Sequence, residues 1–312
     1  MATVTTPLRL HAYVLVADPS YLRESLSAYY PHVDRIVLSY DRTATSWTGT
    51  PLPVEQCLRI IDEIDVDGKC VRAPGDFARL DHEPLENDTF QRQAALDAAS
   101  AGADWVIQLD TDEVMVDPQA FIAMIERADA EGATGLDYPA RWLYTRTGRG
   151  RYLEVTTRFW GDASSYPGPL AVRAGTALRH ARQIDGRLFR VDLAARNTDP
   201  WHPADAPVHA VIPRDSAVLH FSWVRHPDVI RRKFGWSGHT RFMRPPIVLR
   251  RWLWRTRHPL LTVVTSPLRR KDDGRYRLAR IPEPPGGEPI AVDVPHTVDA
   301  SGAVDARDPE QL

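Results

Sequence analysis

The amino-acid sequence predicts an α/β protein with a mostly parallel central sheet, flanked by helices and carrying an antiparallel extension. Three observations predict this class. The first 120 residues alternate short apolar runs with amphipathic stretches, as βαβ units do. Residues 104–109 are almost continuously apolar, which is typical of a buried parallel strand. Between 134 and 224, strand-like runs are separated by loops that contain Pro, Gly and Asp.

The strands of the first half are predicted from apolar runs that end at turn residues. They are Leu8–Ala17, Val33–Tyr40, Lys69–Ala73 and Asp104–Leu109. Parallel strands joined by right-handed crossovers bring all their carboxyl ends to one edge of the sheet. Open sheets of this kind bind ligands along that edge.

The helices of the first half are predicted from apolar residues at helical spacing. The first follows Asp18, a potential N-cap, and has Pro19 in its first turn. The others are Val54–Ile64 and a helix from about Thr89 to Ala101, after which Gly102 is a natural C-cap.

The second half is predicted to form the antiparallel extension and a set of basic helices. Its strand-like runs are Gly135–Leu143, Leu170–Arg173, Leu188–Leu193 and Ser216–Phe221. Pro227 can open a helix. Residues 225–271 hold thirteen Lys or Arg and one acid, Asp228, interleaved with aromatic residues. From Glu283 onward the chain is rich in Pro, Gly and acids, which predicts a disordered tail over 283–312.

Length and composition limit the function classes. With 312 residues, one enlarged catalytic domain is plausible. The net charge of −2 gives no reason to expect nucleic acid as the main partner. Cys57 and Cys70 lack the spacing of a zinc site or of a disulfide scaffold, and the apolar stretch Ala12–Ala17 is too short to span a bilayer. We therefore expect a cytoplasmic protein that is neither exported nor membrane-spanning.

Three carboxylates are predicted to meet at the ligand-binding edge of the sheet. Asp41 ends the second strand, and Asp110 and Asp112 follow the fourth. Alternate residues of an extended segment point the same way, so Asp110 and Asp112 can share one divalent cation. Mg²⁺ or Mn²⁺ held by such a pair completes its shell with water and substrate phosphates. The alternative for an isolated Asp-x-Asp is a solvated turn or a helix cap.

Other phosphate-binding motifs are absent from the sequence. The first strand leads into Ala17-Asp18-Pro19-Ser20, where a dinucleotide-binding protein would have Gly-x-Gly-x-x-Gly, and no Walker-type loop occurs. A dinucleotide oxidoreductase and a P-loop enzyme are thus disfavoured.

On these residues the chain resembles the GT-A class of glycosyltransferases, close to family 2 and its relatives with an Asp-x-Asp-Glu motif. The resemblance covers residues 8–120 and, more loosely, the His220 segment. It implies a Rossmann-like nucleotide-sugar-binding half over 1–120 and an acceptor-binding half over 121–282. It also implies a nucleotide-diphosphate sugar donor, such as a UDP-sugar, with Mn²⁺ or Mg²⁺. The hydroxyl acceptor would be a glycan, a lipid-linked sugar or a small molecule.

The resemblance assigns roles to individual residues. Asp110 and Asp112 would bind the metal, with His220 as a third ligand. Asp41 would contact the nucleobase, and Arg92, next to Gln93, would bind the nucleotide-sugar. The alternatives are a turn carboxylate for Asp41, a solvated helix face for Arg92 and a hydrogen-bonded structural residue for His220. We expect Asp112→Ala to abolish turnover and to leave the fold intact.

The basic segment has two predicted roles. Lys233 and His239, with Arg231 and Arg232, could neutralise the departing diphosphate. Residues 241–271, which include Trp252 and Trp254, could contact the inner face of a membrane from the periphery. The alternatives are a solvated basic face and a basic helix packed on the domain.

The general base is not identified by any motif. Inverting transfer, which we expect, needs an acid that takes the proton of the acceptor hydroxyl. The candidates are Asp162, Asp185, Asp199 and Asp205, each of which could instead be a loop carboxylate. Trp142, Trp160 and Trp201 are candidates for sugar contacts. Two other functions stay open: a sugar-phosphate nucleotidyltransferase, and a non-catalytic protein that binds a nucleotide-sugar.

Overall fold

The computed structural model describes residues 7–147, 150–236, 245–269 and 274–282. His239 and the predicted tail 283–312 lie outside these residues. The elements of the first half are β1 Leu10–Leu15, α1 Leu22–Tyr29, β2 Arg35–Asp41, α2 Val54–Ile64, β3 Cys70–Gly75, α3 Pro84–Ser100, β4 Trp105–Ile107, β5 Glu113–Val114 and α4 Pro118–Ala130.

The second half contributes more strands and three further helices. They are β6 Gly135–Asp137, β7 Ala140–Arg146, β8 Tyr152–Val155, β9 Ala171–Arg173, β10 Leu188–Asp192, β11 Ala210–Val211, β12 Val218–His220, α5 Pro227–Trp236, α6 Pro245–Arg257, α7 Pro259–Thr265 and β13 Tyr276–Ala279. Short 3-10 helices include Arg158–Trp160 and Ser266–Leu268.

The predicted α/β class is confirmed. An eight-stranded sheet has the order β11-β10-β6-β9-β4-β1-β2-β3. β1 pairs in parallel with β2 and β4, and β2 with β3. β9 runs antiparallel between β4 and β6. The central sheet is therefore mostly parallel with an antiparallel insertion, as the apolar runs indicated.

Helices cover both faces of this sheet. Ala12 and Val14 of β1 pack in one cluster with residues of α1, α2 and α4, such as Leu26 and Ile61. Tyr13, between them, points to the other face and packs with Leu96 of α3. The alternation follows from the two-residue period of a strand.

A second sheet, of five strands, has the order β13-β8-β7-β12-β5. The run Gly135–Leu143, predicted as one strand, is divided between the two sheets. β6 ends at Asp137 and β7 begins at Ala140, on either side of Pro139. Proline has no N–H to donate to a ladder, so the pairing breaks there and the chain crosses between sheets.

Two predicted helix starts are wrong. α3 begins at Pro84 and not near Thr89, because proline in the first turn starts it within a polar stretch that has no apolar periodicity. α1 begins at Leu22, and Asp18 does not cap it. The carboxylate of Asp18 instead accepts hydrogen bonds from Ser20 and from Arg225, far along the chain.

Among the described residues, no helix combines the length and hydropathy needed to cross a bilayer.

Candidate active site

A cleft of about 730 Å³ opens at the carboxyl ends of β1, β2 and β4. The ends of these strands supply Val16, Tyr40 and the segment 110–112. Opposite them lie residues of the second sheet and of α5 and α6, including Trp142 and Val248. Asp41, Asp110 and Asp112 thus line one cavity, at the edge where open α/β sheets bind ligands.

Asp110 follows β4 and faces two arginines. Its carboxylate accepts from Nη2 of Arg92, 2.9 Å from Oδ1, and Arg182 lies 4.0 Å from Oδ2. Burial would raise the pKa of Asp110, but the charges of Arg92 and Arg182 lower it below its ordinary value. The side chain is still about a third exposed to the cleft. Asp110 is therefore an ionised carboxylate that a ligand can reach.

Asp112 is held more tightly than its neighbour in the motif. Its Oδ2 accepts from Arg225 at 2.8 Å and from Lys233 at 2.9 Å. Burial would raise its pKa, but Lys233, His220 and Arg225 hold the pKa well below the usual range. Only 6% of the residue is exposed. Through these contacts Asp112 connects the end of β4 to Lys233 on α5 and to Arg225 in the segment after β12.

Glu113 anchors the motif from beneath. It is fully buried and forms a bidentate ion pair with Arg182. Its Oε2 also accepts from the backbone N–H of Asp110 at 2.9 Å. These bonds fix the turn that presents Asp110 and Asp112, so Glu113 acts as a positioning residue.

His220 stands beside Asp112 because β12 pairs antiparallel with β5, with His220 opposite Glu113. Its Nε2 lies 3.7 Å from Oδ1 of Asp112, the oxygen that carries no hydrogen bond from Arg225 or Lys233. The ring stacks on Trp142 with 5.6 Å between centroids. The two atoms are therefore neighbours that are too far apart for a hydrogen bond.

The structure does not bring the predicted ligands Asp110, Asp112 and His220 together as a three-residue metal site. Within the described residues, no three His, Cys, Asp or Glu side chains stand close enough together to hold a metal. Oδ1 of Asp112 and Nε2 of His220 are nevertheless close enough to bind one ion at the usual distances of about 2.1 Å each. Phosphate oxygens and water would complete such a shell. Asp110, partly exposed, faces the same cleft.

Several buried polar atoms of cleft-lining residues form no hydrogen bond within the described part of the protein. They include Nη1 of Arg92, Nε1 of Trp142 and Nδ1 of His220. Buried polar groups are nearly always hydrogen-bonded, so unpaired ones call for an explanation. All three side chains border the cleft.

Arg92 is not on a solvated helix face, since only 7% of it is exposed. Asp88 accepts from its Nε at 2.6 Å, one turn earlier on α3. The nearby Gln91 accepts from Nε1 of Trp47 at 2.8 Å and also lines the cleft. α3 therefore presents two polar side chains to the ligand space.

Asp41 lies in the cleft, but its carboxylate is already engaged. Oδ1 accepts from the backbone and hydroxyl of Thr43, and Oδ2 from the backbone amides of Phe77 and Ala78. Burial would raise the pKa of Asp41, but these hydrogen bonds lower it. These bonds are those of a carboxylate that holds two loops together. A contact of Asp41 with a nucleobase remains a prediction.

The structure separates the basic residues of α5. Lys233 lines the cleft and donates to Asp112 and to Oγ of Ser222, at 2.9 and 2.8 Å. Arg231 is exposed and pairs with Asp228 on its own helix. The role of His239 stays a prediction, because the residue lies outside the described part of the chain.

None of the four candidate bases lines the cleft. Asp185 is exposed and pairs with Arg179, and Asp205 is exposed in a loop. Asp162 forms ion pairs with Arg214 and Arg277. Asp199 differs from the other three, because it is buried and Nδ1 of His202 lies 2.6 Å from its Oδ2.

The Asp199–His202 pair lies next to the cleft wall. Trp201, between the two residues in sequence, lines the cleft, and the His202 ring contacts Tyr166, which lines it as well. Of the other candidate tryptophans, Trp142 also lines the cleft, whereas Trp160 lies elsewhere and donates to the carbonyl of Val263.

Sequence reasoning missed Arg182 and Arg225. Arg182 lies in a loop about 70 residues beyond the motif that it binds, where no local pattern marks it. Arg225 is 3% exposed and joins Asp18 to Asp112. Its position at the start of the basic segment, just after the His220 strand, was the available signal.

No protein-family model and no curated protein matches this chain. Among solved structures it is similar to 4-diphosphocytidyl-2C-methyl-D-erythritol synthase from Anaerococcus prevotii, at 12% identity and a TM-score of 0.33. That match covers 54% of this chain and 70% of the other. A second, mannose-1-phosphate geranyltransferase from Thermus thermophilus, has 15% identity and a TM-score of 0.25. It covers 55% of this chain and 51% of the other, about half its length. Likenesses of this size identify no family.

Proposed function

We propose that the protein is a metal-dependent glycosyltransferase that binds a nucleotide-diphosphate sugar in the cleft and transfers the sugar to a hydroxyl acceptor. One observation carries the proposal. The Asp112–His220 pair stands in the same cleft as Asp110, Arg92 and Lys233, at the carboxyl edge of a parallel sheet. Paired metal and phosphate ligands at this edge are suited to an activated diphosphate.

The cations next to the motif are already paired with carboxylates. The ion-pair network joins the carboxylates of Asp18, Asp88, Asp110, Asp112 and Glu113 to Arg92, Arg182, Arg225 and Lys233. Arg251 and Arg255 also line the cleft, so this network alone does not set the charge that a diphosphate meets. A bound Mg²⁺ or Mn²⁺ would add positive charge next to the leaving diphosphate.

The remaining parts of the donor have surfaces of matching chemistry. The nucleobase would lie against the wall formed by Tyr40, Trp47 and Gln91, which offers aromatic faces and an amide. The diphosphate would lie beside Arg92 and Lys233, which both line the cleft. The sugar would lie near Trp142, which offers an aromatic face on the opposite wall.

His202 does not itself line the cleft, but it lies beside Tyr166 and Trp201, which do, and in this proposal it is the general base, oriented by Asp199. Because the carboxylate of Asp199 accepts from Nδ1–H, Nε2 carries the lone pair that takes a proton. The acceptor oxygen attacks the anomeric carbon as its proton moves to His202. The bond from that carbon to the diphosphate breaks, and the nucleoside diphosphate leaves. Attack opposite the leaving group inverts the configuration.

A panel of nucleotide-sugars tests the function. The protein is incubated with each sugar, with MnCl₂ or with a chelator, and release of nucleoside diphosphate is measured. Metal-dependent release from one donor supports the transferase. Asp185→Asn is a matched control, because Asp185 is exposed and outside the cleft; it should retain full activity.

The same assay separates the two rival functions. A nucleotidyltransferase would release pyrophosphate from a nucleoside triphosphate and a sugar phosphate, and it normally has a basic, Gly-rich loop after the first strand. Here that position holds Ala17-Asp18-Pro19. A non-catalytic binding protein would bind a nucleotide-sugar in calorimetry and release nothing. Either result would exclude the transferase.

A further inference from the structure

Exposed apolar side chains are concentrated at α7 and the two short 3-10 helices next to it. We call these residues the apolar patch; they are Phe159, Trp160, Leu260, Leu261, Val264 and Leu268. Leu268 is 89% exposed, Val264 70%, and Phe159 and Leu260 67% each. Single exposed apolar residues need no explanation, but a contiguous set of them marks an interaction surface.

The patch is continuous although its residues come from two parts of the chain. Nε1 of Trp160 donates to the carbonyl of Val263 on α7 at 3.3 Å. The short helix Arg158–Trp160 also contacts the helix Ser266–Leu268, which directly follows α7. Phe159 and Trp160 therefore extend the surface formed by α7.

The backbone at Phe159 and Trp160 is strained. Their φ angles are 59° and 62°, in the left-handed region that bulky residues rarely adopt. Such a conformation costs on the order of 1–3 kcal/mol per residue and is retained mostly at functional sites. Burial does not explain it here, because both aromatic side chains are exposed. This backbone conformation places both aromatic side chains at the surface.

The chain segment that carries α6 and α7 has an excess of positive charge, and Asp162, the acid two residues beyond Trp160, is paired with Arg214 and Arg277. No acidic residue occurs between Asp228 and Asp272, although the whole chain has a net charge of −2. Arg158, Arg250 and Arg257 are exposed on the segments that carry or adjoin the patch. Apolar and aromatic residues next to Arg side chains are typical of surfaces that insert into the headgroup region of an anionic bilayer.

We propose that the apolar patch and its arginines dock on the surface of a lipid bilayer that contains anionic lipids. α6 and α7 have 13 and 7 residues, so this contact lies in the interface plane and does not span the bilayer. Arginine is also enriched at protein interfaces, so the reason for choosing a bilayer is the excess of positive charge in the segment that carries α6 and α7, which suits anionic headgroups.

α6, which contacts α7, also lines the cleft. α6 supplies Val248 and Arg251 to the cleft wall, while Ile247 and Trp254 of the same helix are exposed outside it. Docking through this side would bring the cleft near the bilayer surface. If the proposed function holds, a lipid-linked acceptor could then enter the cleft directly, but the docking itself does not depend on that function.

Vesicle sedimentation tests the docking. The full chain is mixed with vesicles of phosphatidylcholine alone, or of phosphatidylcholine with phosphatidylglycerol, and the bound fraction is measured at low and high salt. We expect binding to the anionic vesicles that weakens as salt rises. Equal binding to both vesicle types, or binding to neither, would overturn the proposal.

Two variants and a matched control locate the contact. The triple variant Leu260→Ser/Val264→Ser/Leu268→Ser should weaken binding by about tenfold or more, because it removes three apolar side chains that would enter the bilayer on docking. Arg250→Glu/Arg257→Glu should weaken binding to anionic vesicles and reduce its salt dependence. Val66→Ser is the control, since Val66 is 82% exposed in the loop before β3, at the opposite edge of the sheet; it should bind as the wild type does.

The same variants exclude the other occupant. If the patch joined two copies of the chain, the wild type would dimerise in sedimentation velocity without lipid and the triple serine variant would not. That result would assign the patch to self-association and overturn the bilayer proposal. Thermal unfolding midpoints equal to that of the wild type show that loss of vesicle binding does not come from unfolding.

Discussion

Nε2 of His220 lies 3.7 Å from Oδ1 of Asp112, and the two atoms face each other without a hydrogen bond. The pairing of β12 with β5 sets this distance, and the stacking of Trp142 on the imidazole fixes the ring plane. The other oxygen of Asp112 is occupied by Arg225 and Lys233. One oxygen of the Asp112 carboxylate is thus paired with two cations, and the other lies close to Nε2 of His220.

His220→Ala should weaken the metal dependence of the enzyme. We expect the Mn²⁺ concentration for half-maximal activity to rise by at least about tenfold, because one of two close protein ligands is lost. Electron paramagnetic resonance of Mn²⁺ with protein and a nucleoside diphosphate provides a readout independent of turnover. His82→Ala is the control, since His82 is partly exposed beside Glu86 and outside the cleft. An unchanged Mn²⁺ dependence would remove His220 from the metal site.

The variant Asp112→Asn should distinguish an effect on turnover from an effect on stability better than Asp112→Ala does. An intact fold of the alanine variant stays a prediction, but Asp112 is buried and accepts from the buried Arg225, so this variant should lose stability. Removing that acceptor should lower the free energy of unfolding by about 1–3 kcal/mol.

Asparagine keeps the size and one oxygen acceptor, so we expect a smaller loss of stability and at least about a hundredfold loss of turnover. Urea denaturation and donor turnover on both variants check this. Full activity of the asparagine variant would exclude a role of this carboxylate in binding a metal.

The sequence was sufficient to predict the parallel half of the fold, because each of its strands can be recognised from its own residues. Buried strands such as Trp105–Ile107 are continuous apolar runs, and the helices between them have regular periodicity. The placement of Asp110 and Asp112 followed from the rule that parallel strands end at one edge. The second sheet was less predictable, since its short strands pair across long sequence separations, as β5 does with β12.

The partners of the motif could not be predicted for the same reason. Arg182 and Arg225 reach the motif from loops, and their roles depend on tertiary contacts alone. The sequence near Asp18 predicts a helix cap, because capping rules consider only neighbouring residues. They cannot indicate the hydrogen bond from Arg225, which lies 207 residues further along the chain.

His202→Ala should lower kcat by about a hundredfold or more, with little change in donor KM, because the base acts only in the transfer step. Asp199→Asn should lower kcat less, since the carboxylate orients the imidazole and does not itself take the proton. Asp205→Asn is the control, because Asp205 is exposed in the same loop. Wild-type kcat in the alanine variant would exclude His202 as the base.

Asp137 should make the protein lose stability as the pH rises from about 4 to about 6. Burial raises the pKa of Asp137 to about 6, against the opposing charge of Arg190, 3.9 Å away. Its ordinary value is 3.8, so within this window the folded state holds a proton that the unfolded state has released. By linkage, the free energy of unfolding falls through the window, by about 3 kcal/mol for this group.

Asp137→Asn should abolish this slope, because the amide does not titrate. The measurement is urea denaturation of both proteins across the window, and the difference between the two curves isolates Asp137 from other titrating groups. Relative to the wild type, the asparagine variant should gain stability as the pH rises. Asp185→Asn, which changes an exposed carboxylate, should give a curve parallel to that of the wild type. A parallel curve for the Asp137 variant would mean that this carboxyl ionises with its ordinary pKa.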